Sequence, residues 1–135
     1  MVQPKLEVSG YRGVWGESLT KDIAINFARA FALFTKEETG KENPTILIGR
    51  DGRESGPAIC EAIIPALHTL GVTVVYGDIL PTPTIMLAVK ENNYDGAIIV
   101  TASHNPIQYN GLKFVTRDAR MTNEEAVKKI KSYVK

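Results

Sequence analysis

Disulfide bonds are excluded first, because the 135-residue chain carries one cysteine, Cys60. A secreted scaffold held by internal bridges is therefore out. Charge of one sign is equally scarce: 16 Lys and Arg against 15 Asp and Glu leave a formal net charge of +1. That balance gives no electrostatic basis for nucleic acid or a membrane surface as the main partner. A local phosphate site is still allowed, since it needs only a few groups. No apolar run approaches the roughly 18 residues of a membrane-spanning helix. The start, Met1-Val2-Gln3-Pro4-Lys5, lacks the apolar stretch of a signal peptide, so the cytoplasm is the expected compartment. Repeats and low-complexity segments are missing too. Gly10-x-x-Gly13-x-x-Gly16 has neither the spacing nor the strand–helix context of a dinucleotide fingerprint, and no P-loop motif occurs, so nothing supports a nucleotide-binding domain.

What is present is an ordinary globular composition, with 44% apolar and 23% charged residues. The length predicts one domain over 1–135. Along the chain, short β-rich runs alternate with helical patterns. After a glycine-rich opening loop, Thr20 is a candidate N-cap. Ile23, Phe27, Ala30, Phe31 and Phe34 then make one helical face, closed by Gly40. Thr45 to Gly49 reads as a buried strand. Ser55 is a candidate cap for a second helix, with Ile59, Ala62, Ile63, Ala66, Leu67 and Leu70 as its stripe and Gly71 as its end. Pro65 inside it predicts a kink or an early break. Val72 to Tyr76 is the next strand. Thr82 and Pro83 open a short helix to about Glu91. Ala97 to Val100 and Leu112 to Val115 are two more strands. Thr122-Asn123-Glu124-Glu125 has the form of a capping box for a final helix. Its Lys128, Lys129, Lys131 and Lys135 read as a solvated face, with a docking surface as the lesser alternative. The alternation predicts a three-layer α/β/α fold around a mostly parallel, mixed sheet of about four strands. Ligands in such sheets gather at the carboxyl ends of strands.

The stretch richest in chemistry is Thr101-Ala102-Ser103-His104-Asn105-Pro106, followed by Tyr109-Asn110-Gly111-Leu112-Lys113. It puts a hydroxyl at the carboxyl end of a buried strand. Pro106 stiffens the loop and keeps Asn105 out of helical geometry. Asn110-Gly111 reads as a turn that reverses the chain into Leu112 and returns Lys113 beside Ser103. Serine needs a base or cation to act as a nucleophile, and a lysine neutralises charge on a transferring phosphoryl group. A plain polar hairpin is the other reading of the same residues. His104 is either a general acid/base or a hydrogen-bonding prop for the loop, with the prop preferred. His68 reads as a structural or surface residue, Cys60 as a buried helix residue, and Trp15 as a packing residue.

That string resembles the phosphoserine loop of the α-D-phosphohexomutases, the phosphoglucomutase/phosphomannomutase superfamily. Ser9-Gly10-Tyr11-Arg12-Gly13, Gly49-Arg50-Asp51-Gly52-Arg53 with Ser55-Gly56-Pro57, and Pro81-Thr82-Pro83 resemble other segments of that family's first domain, in the same order. The resemblance implies that Ser103 carries a phosphoryl group, gives it to a hexose phosphate, and recovers one from the resulting glucose or mannose 1,6-bisphosphate. It implies Lys113 and Arg12 as cations beside the phosphate and Arg53 as a third candidate. His104 is implied near the chemistry, with Asn105, Asn110 and Arg53 as support for phosphate or loop. It also implies Mg²⁺ on the phosphoserine oxygen, completed by other domains of the parent enzyme. Two departures stand out: Leu6-Glu7-Val8 precede Ser9-Gly10 where the family often has Phe-Gly-Thr, and the family's Asp-x-Asp-x-Asp metal loop does not occur. Asp51 is followed by Gly52, Arg53 and Glu54. The chain is therefore expected to match one of four domains and to be inactive alone. Tyr109 before Asn110-Gly111 leans towards phosphomannomutase/phosphoglucomutase and away from phosphoglucosamine mutase. A stand-alone sugar-phosphate-binding module, with Ser103 a passive phosphoacceptor, is the alternative.

Overall fold

The computed structural model describes residues 5–135. Nine elements follow one another: β1 (Tyr11–Val14), α1 (Lys21–Thr39), β2 (Thr45–Arg50), α2 (Gly56–Thr69), β3 (Thr73–Ile79), α3 (Thr82–Asn92), β4 (Gly96–Val100), β5 (Tyr109–Val115) and α4 (Glu124–Tyr133). They build one mixed sheet in the order β1-β5-β4-β2-β3. The β2–β3 and β2–β4 pairs are parallel, whereas β4–β5 and β1–β5 are antiparallel.

The α/β/α layering agrees with the sequence, but the sheet has five strands rather than about four, and two of its four pairings are antiparallel. The added strand is β1, within the segment expected to be a loop. Its four residues alternate between buried and half-buried positions, a signal too short to stand out among three glycines. Glycine is there for close approach. A Cβ on Gly13 would lie 2.7 Å from Ser18 Oγ, and one on Gly111 would lie 2.4 Å from the Tyr11 carbonyl oxygen.

Successive strand residues feed two cores. Ile46, Ile48, Ile98, Val100, Leu112 and Phe114 face α1, α2 and α4, while Leu47, Ala97, Ile99 and Val115 face α3. Burial on both faces is what makes these strands read as unbroken apolar runs. Phe31 stacks on Phe114 with ring centroids 4.7 Å apart, locking α1 onto β5.

Helix ends show where local signals competed. Thr20 Oγ1 accepts from the Ile23 amide, and Gly40 closes α1 with φ +70°, both as expected. Ser55 stands at the N-cap of α2, as expected, but makes no side-chain cap: it has helical dihedrals, and its hydroxyl accepts from Asn110 Nδ2 at 2.7 Å. Pro65 does not break α2, which runs on to Thr69. Pro65 and Glu61 are both exposed, so the carbonyl deprived of its helical partner lies on the watered face. The cap of α3 is Pro81, one residue before the expected Thr82. In α4 the cap is Asn123, whose Oδ1 accepts from Ala126 N at 2.8 Å. Thr122 is drawn inside instead, where its amide donates to Phe114 O and its hydroxyl has no partner. The capping box is thus shifted by one residue and loses its glutamate arm. Cys60 is buried, which pushes its thiol up to about 11, and His68 is exposed. Trp15 packs on the larger core, as expected. No helix of the described residues is long and apolar enough to cross a membrane.

Candidate active site

The site forms where β4 gives way to β5. The reversal takes place in residues 101–108, closed by Tyr109 N donating to Pro106 O at 2.9 Å. Asn110 and Gly111, expected as the turn, are strand residues paired with Gly13 and Arg12. Their pairing with β1 outcompetes their turn propensity. The expected consequence holds all the same: Lys113, on β5, returns to Ser103, and its Nζ donates to Ser103 Oγ at 2.5 Å.

Two cations converge there. Arg12 sits on β1, opposite Gly111, and a Cβ at 111 would press within 2.8 Å of its Cγ. Its guanidinium donates to Asn105 Oδ1 at 3.1 Å and to Ser9 Oγ at 3.0 Å. Arg12 thereby ties the opening segment to the serine loop. Lys113 is half-buried, and its pKa is lowered from the usual lysine value, first by desolvation and then by the charge of Arg12. A cation held against burial and a like charge is one that an incoming anion relieves. A groove of about 760 Å³ opens beside it, whose polar lining includes Ser9, Lys113, Lys128 and Lys131 and also the carboxylates Glu7 and Glu124. The lysines of α4 are exposed, as expected, and Lys129 pairs with Glu38 at 3.1 Å.

The remaining residues named from sequence divide into three groups. Asn110 is fully buried, holding Ser55 Oγ through Nδ2 and the Gly111 amide through Oδ1. Arg53 lies against the loop's backbone, with donors on the carbonyls of Ser103, Asn105, Pro106 and Tyr109. That places it as loop support, the second of its two expected parts. His104 is exposed next to Ser103, and its side chain bonds to no described residue, so hydrogen bonds from other groups hold the loop. Sequence reading did not single out Asp51 or Thr101. Asp51 accepts from Arg53 Nε at 3.3 Å and from Thr101 Oγ1 at 2.7 Å, and Thr101 Oγ1 accepts from Ser103 N at 3.1 Å. The available signal was position: both residues lie at the carboxyl ends of adjacent parallel strands, where such sheets build sites.

A magnesium ion prefers six oxygen ligands in an octahedron. Among the described residues no group of three or more His, Cys, Asp or Glu side chains is placed to hold a metal. Instead the cation Lys113 lies on Ser103, and Arg12 is bound to Asn105 of the same loop. The donors present do not make a complete site for this ion.

Known proteins share this architecture. The family model for the phosphoglucomutase/phosphomannomutase α/β/α domain I matches residues 3–135. A phosphoglucomutase/phosphomannomutase from Thermococcus kodakarensis is 41% identical over 106 residues, covering 78% of this chain and 23% of its own. A phosphoglucosamine mutase from Clostridium botulinum is 32% identical, covering 93% of this chain and 28% of its own. The chain thus spans about a quarter of the length of these relatives. The crystal structure of a candidate phosphomannomutase from Thermus thermophilus superposes with a TM-score of 0.89 at 28% identity, over 99% of this chain and 30% of that one. The serine loop, the sheet that carries it and the matched extent together assign the chain to the phosphoglucomutase/phosphomannomutase family, as its α/β/α domain I.

Proposed function

We propose that this chain is the phosphoserine-bearing domain of a phosphohexomutase interconverting hexose 1- and 6-phosphates. The observation that carries it is the 2.5 Å contact of Lys113 Nζ with Ser103 Oγ, in reach of a second cation, Arg12. A phosphoserine brings about −1.5 to −2 charges at neutral pH, which these two groups are placed to offset. Phosphoryl transfer depends chiefly on positioning and charge stabilisation. In the forward step the Ser103 Oγ–phosphorus bond breaks and a bond from a sugar hydroxyl to phosphorus forms. Lys113 gives a proton to Oγ and takes up in exchange the one that the sugar hydroxyl loses, so no net proton is gained or lost. The product is a hexose 1,6-bisphosphate, of glucose or mannose, whose other phosphate returns to Ser103 after reorientation. His104, exposed beside Ser103, is a candidate for contact with the sugar or its phosphate.

Magnesium enters as a family expectation. When bound it would supply charge neutralisation on the phosphoryl oxygens, and Ser103 would offer it one phosphate oxygen. The other ligands, the rest of the parent enzyme and the hexose phosphate are the proposed partners, and the cytoplasm is the proposed compartment. Tyr109 favours a glucose or mannose phosphate over an amino sugar phosphate, and relatives of both kinds match.

Intact-mass analysis after incubation with glucose 1,6-bisphosphate tests the proposal. One phosphoryl increment that disappears in Ser103→Ala is the expected result. Sugar-phosphate binding without any increment would instead favour the stand-alone binding module.

A further inference from the structure

Ser103 adopts φ +55°, in the left-handed region that favours glycine. A non-glycine residue there is strained and persists only where its surroundings over-determine it. The surroundings here are three side chains outside the cation pair. A guanidinium has five N–H donors, and Arg53 has donors on five acceptors. Its Nη atoms reach four carbonyl oxygens of the serine loop at 2.7–3.0 Å, and its Nε reaches Asp51. It therefore has no donor left for a phosphate. The same Asp51 carboxylate accepts from Thr101 Oγ1, which accepts from the Ser103 amide. Both backbone polar groups of Ser103 thus end on one unit: its carbonyl on Arg53, its amide on Thr101. That fixes the two dihedrals on either side of its Cα and leaves Oγ only its side-chain rotation.

We propose that Asp51, Arg53 and Thr101 form a positioning clamp that holds Ser103 in its left-handed conformation, so that Oγ meets Lys113 without direct contact between the clamp and the phosphoryl group. The planar fork matters as well as the charge, because one ammonium cannot span four carbonyls in a fixed plane. The consequence for phosphoryl transfer rests on the function proposed above; the conformational consequence does not.

Two substitutions in the full chain test the clamp. Arg53→Lys keeps the charge and loses the fork, and Thr101→Val removes the hydroxyl at nearly constant shape. Amide hydrogen exchange over residues 101–109 is compared with that of β2 and β4, the latter reporting that the sheet remains folded. The HN–Hα coupling and the Cα and Cβ shifts of Ser103 report its φ. The initial rate of Ser103 phosphorylation by glucose 1,6-bisphosphate is measured against bisphosphate concentration. Both variants are expected to raise loop exchange at least tenfold, erase the positive-φ signature, and lower the maximal phosphorylation rate at least tenfold with a smaller change in half-saturating concentration. Unchanged exchange and φ in either folded variant would overturn the clamp, as would a loosened loop that is phosphorylated at the wild-type rate. If Arg53→Lys does not fold, Thr101→Val decides alone. If the wild-type chain takes no phosphoryl group, the phosphoserine function fails, while exchange and φ still decide the clamp.

Discussion

Lys113 is the residue whose surroundings most constrain what the site can do. Its pKa is lowered by desolvation and by Arg12, so the folded chain holds its proton less tightly than the unfolded chain does. Between that lowered value and the ordinary lysine value of about 10.4, the unfolded state binds more protons. This group's contribution to stability therefore rises as pH rises through that window, and is lost as pH falls below it. The ammonium is held at neutral pH at a cost to stability that an anion nearby offsets. NMR titration of the lysine Cε signals is expected to show Lys113 titrating below the other lysines, and phosphorylation of Ser103 is expected to move it back upward. Asn110 makes a different prediction. It is fully buried, with its amide oxygen and nitrogen both bonded. Asn110→Ala leaves the Ser55 hydroxyl and the Gly111 amide without these partners, and should cost about 1–3 kcal/mol in urea unfolding. The loop should also exchange faster, because Asn110 joins β5 to the start of α2.

At the scale of elements, the site depends on the short strand β1. That strand brings Arg12 to the loop, and Gly10 and Gly111 let it lie against β5, since a Cβ at either would meet a backbone carbonyl, of Leu112 or of Tyr11. Gly111→Ala would place a Cβ against the Tyr11 carbonyl and the Arg12 side chain. The expected cost is about 1–3 kcal/mol of overpacking, concentrated on β1. Limited proteolysis is expected to cut within residues 5–20 of this variant while α1 to α4 stay protected; equal resistance of variant and wild type would contradict this placement. The β2–α2 turn is the second structural dependency. It delivers Asp51 and Arg53 under the serine loop, and β2 and β4 lie side by side and parallel, so their carboxyl ends open at one edge. The loops that matter are thus neighbours in space although about 50 residues separate Asp51 from Thr101.

For the whole molecule, the near-zero net charge fits the proposed anion site, which is local and draws on Arg12 and Lys113. The described residues bring Lys113 onto Ser103 and Arg12 onto the same loop, and among them no group of three or more His, Cys, Asp or Glu side chains is placed to hold a metal. Relatives about four times as long carry names of complete mutases. In a coupled assay with glucose 1-phosphate, magnesium and glucose 1,6-bisphosphate, this chain is expected to show no turnover above background. Robust turnover would mean that the chain completes the site by itself.

The alternation of apolar runs with amphipathic stretches determined the layered α/β/α fold, because burial on both faces leaves its imprint on the central strands β2 and β4. The string from Thr101 to Lys113 pointed to the family and to the return of Lys113 beside Ser103, since so short a polar connection between two apolar strands favours an antiparallel reversal. Tertiary structure decided the rest. It made Asn110-Gly111 a strand, because pairing with β1 satisfies their backbone better than a turn does. It put the cap of α4 one residue on, because Thr122 is drawn into the core. It gave Arg53 to backbone carbonyls and joined Asp51 to Thr101, contacts between residues far apart in the chain that no local pattern encodes. Sequence periodicity records which face of an element is buried; which polar groups meet across a loop depends on where distant strand ends arrive.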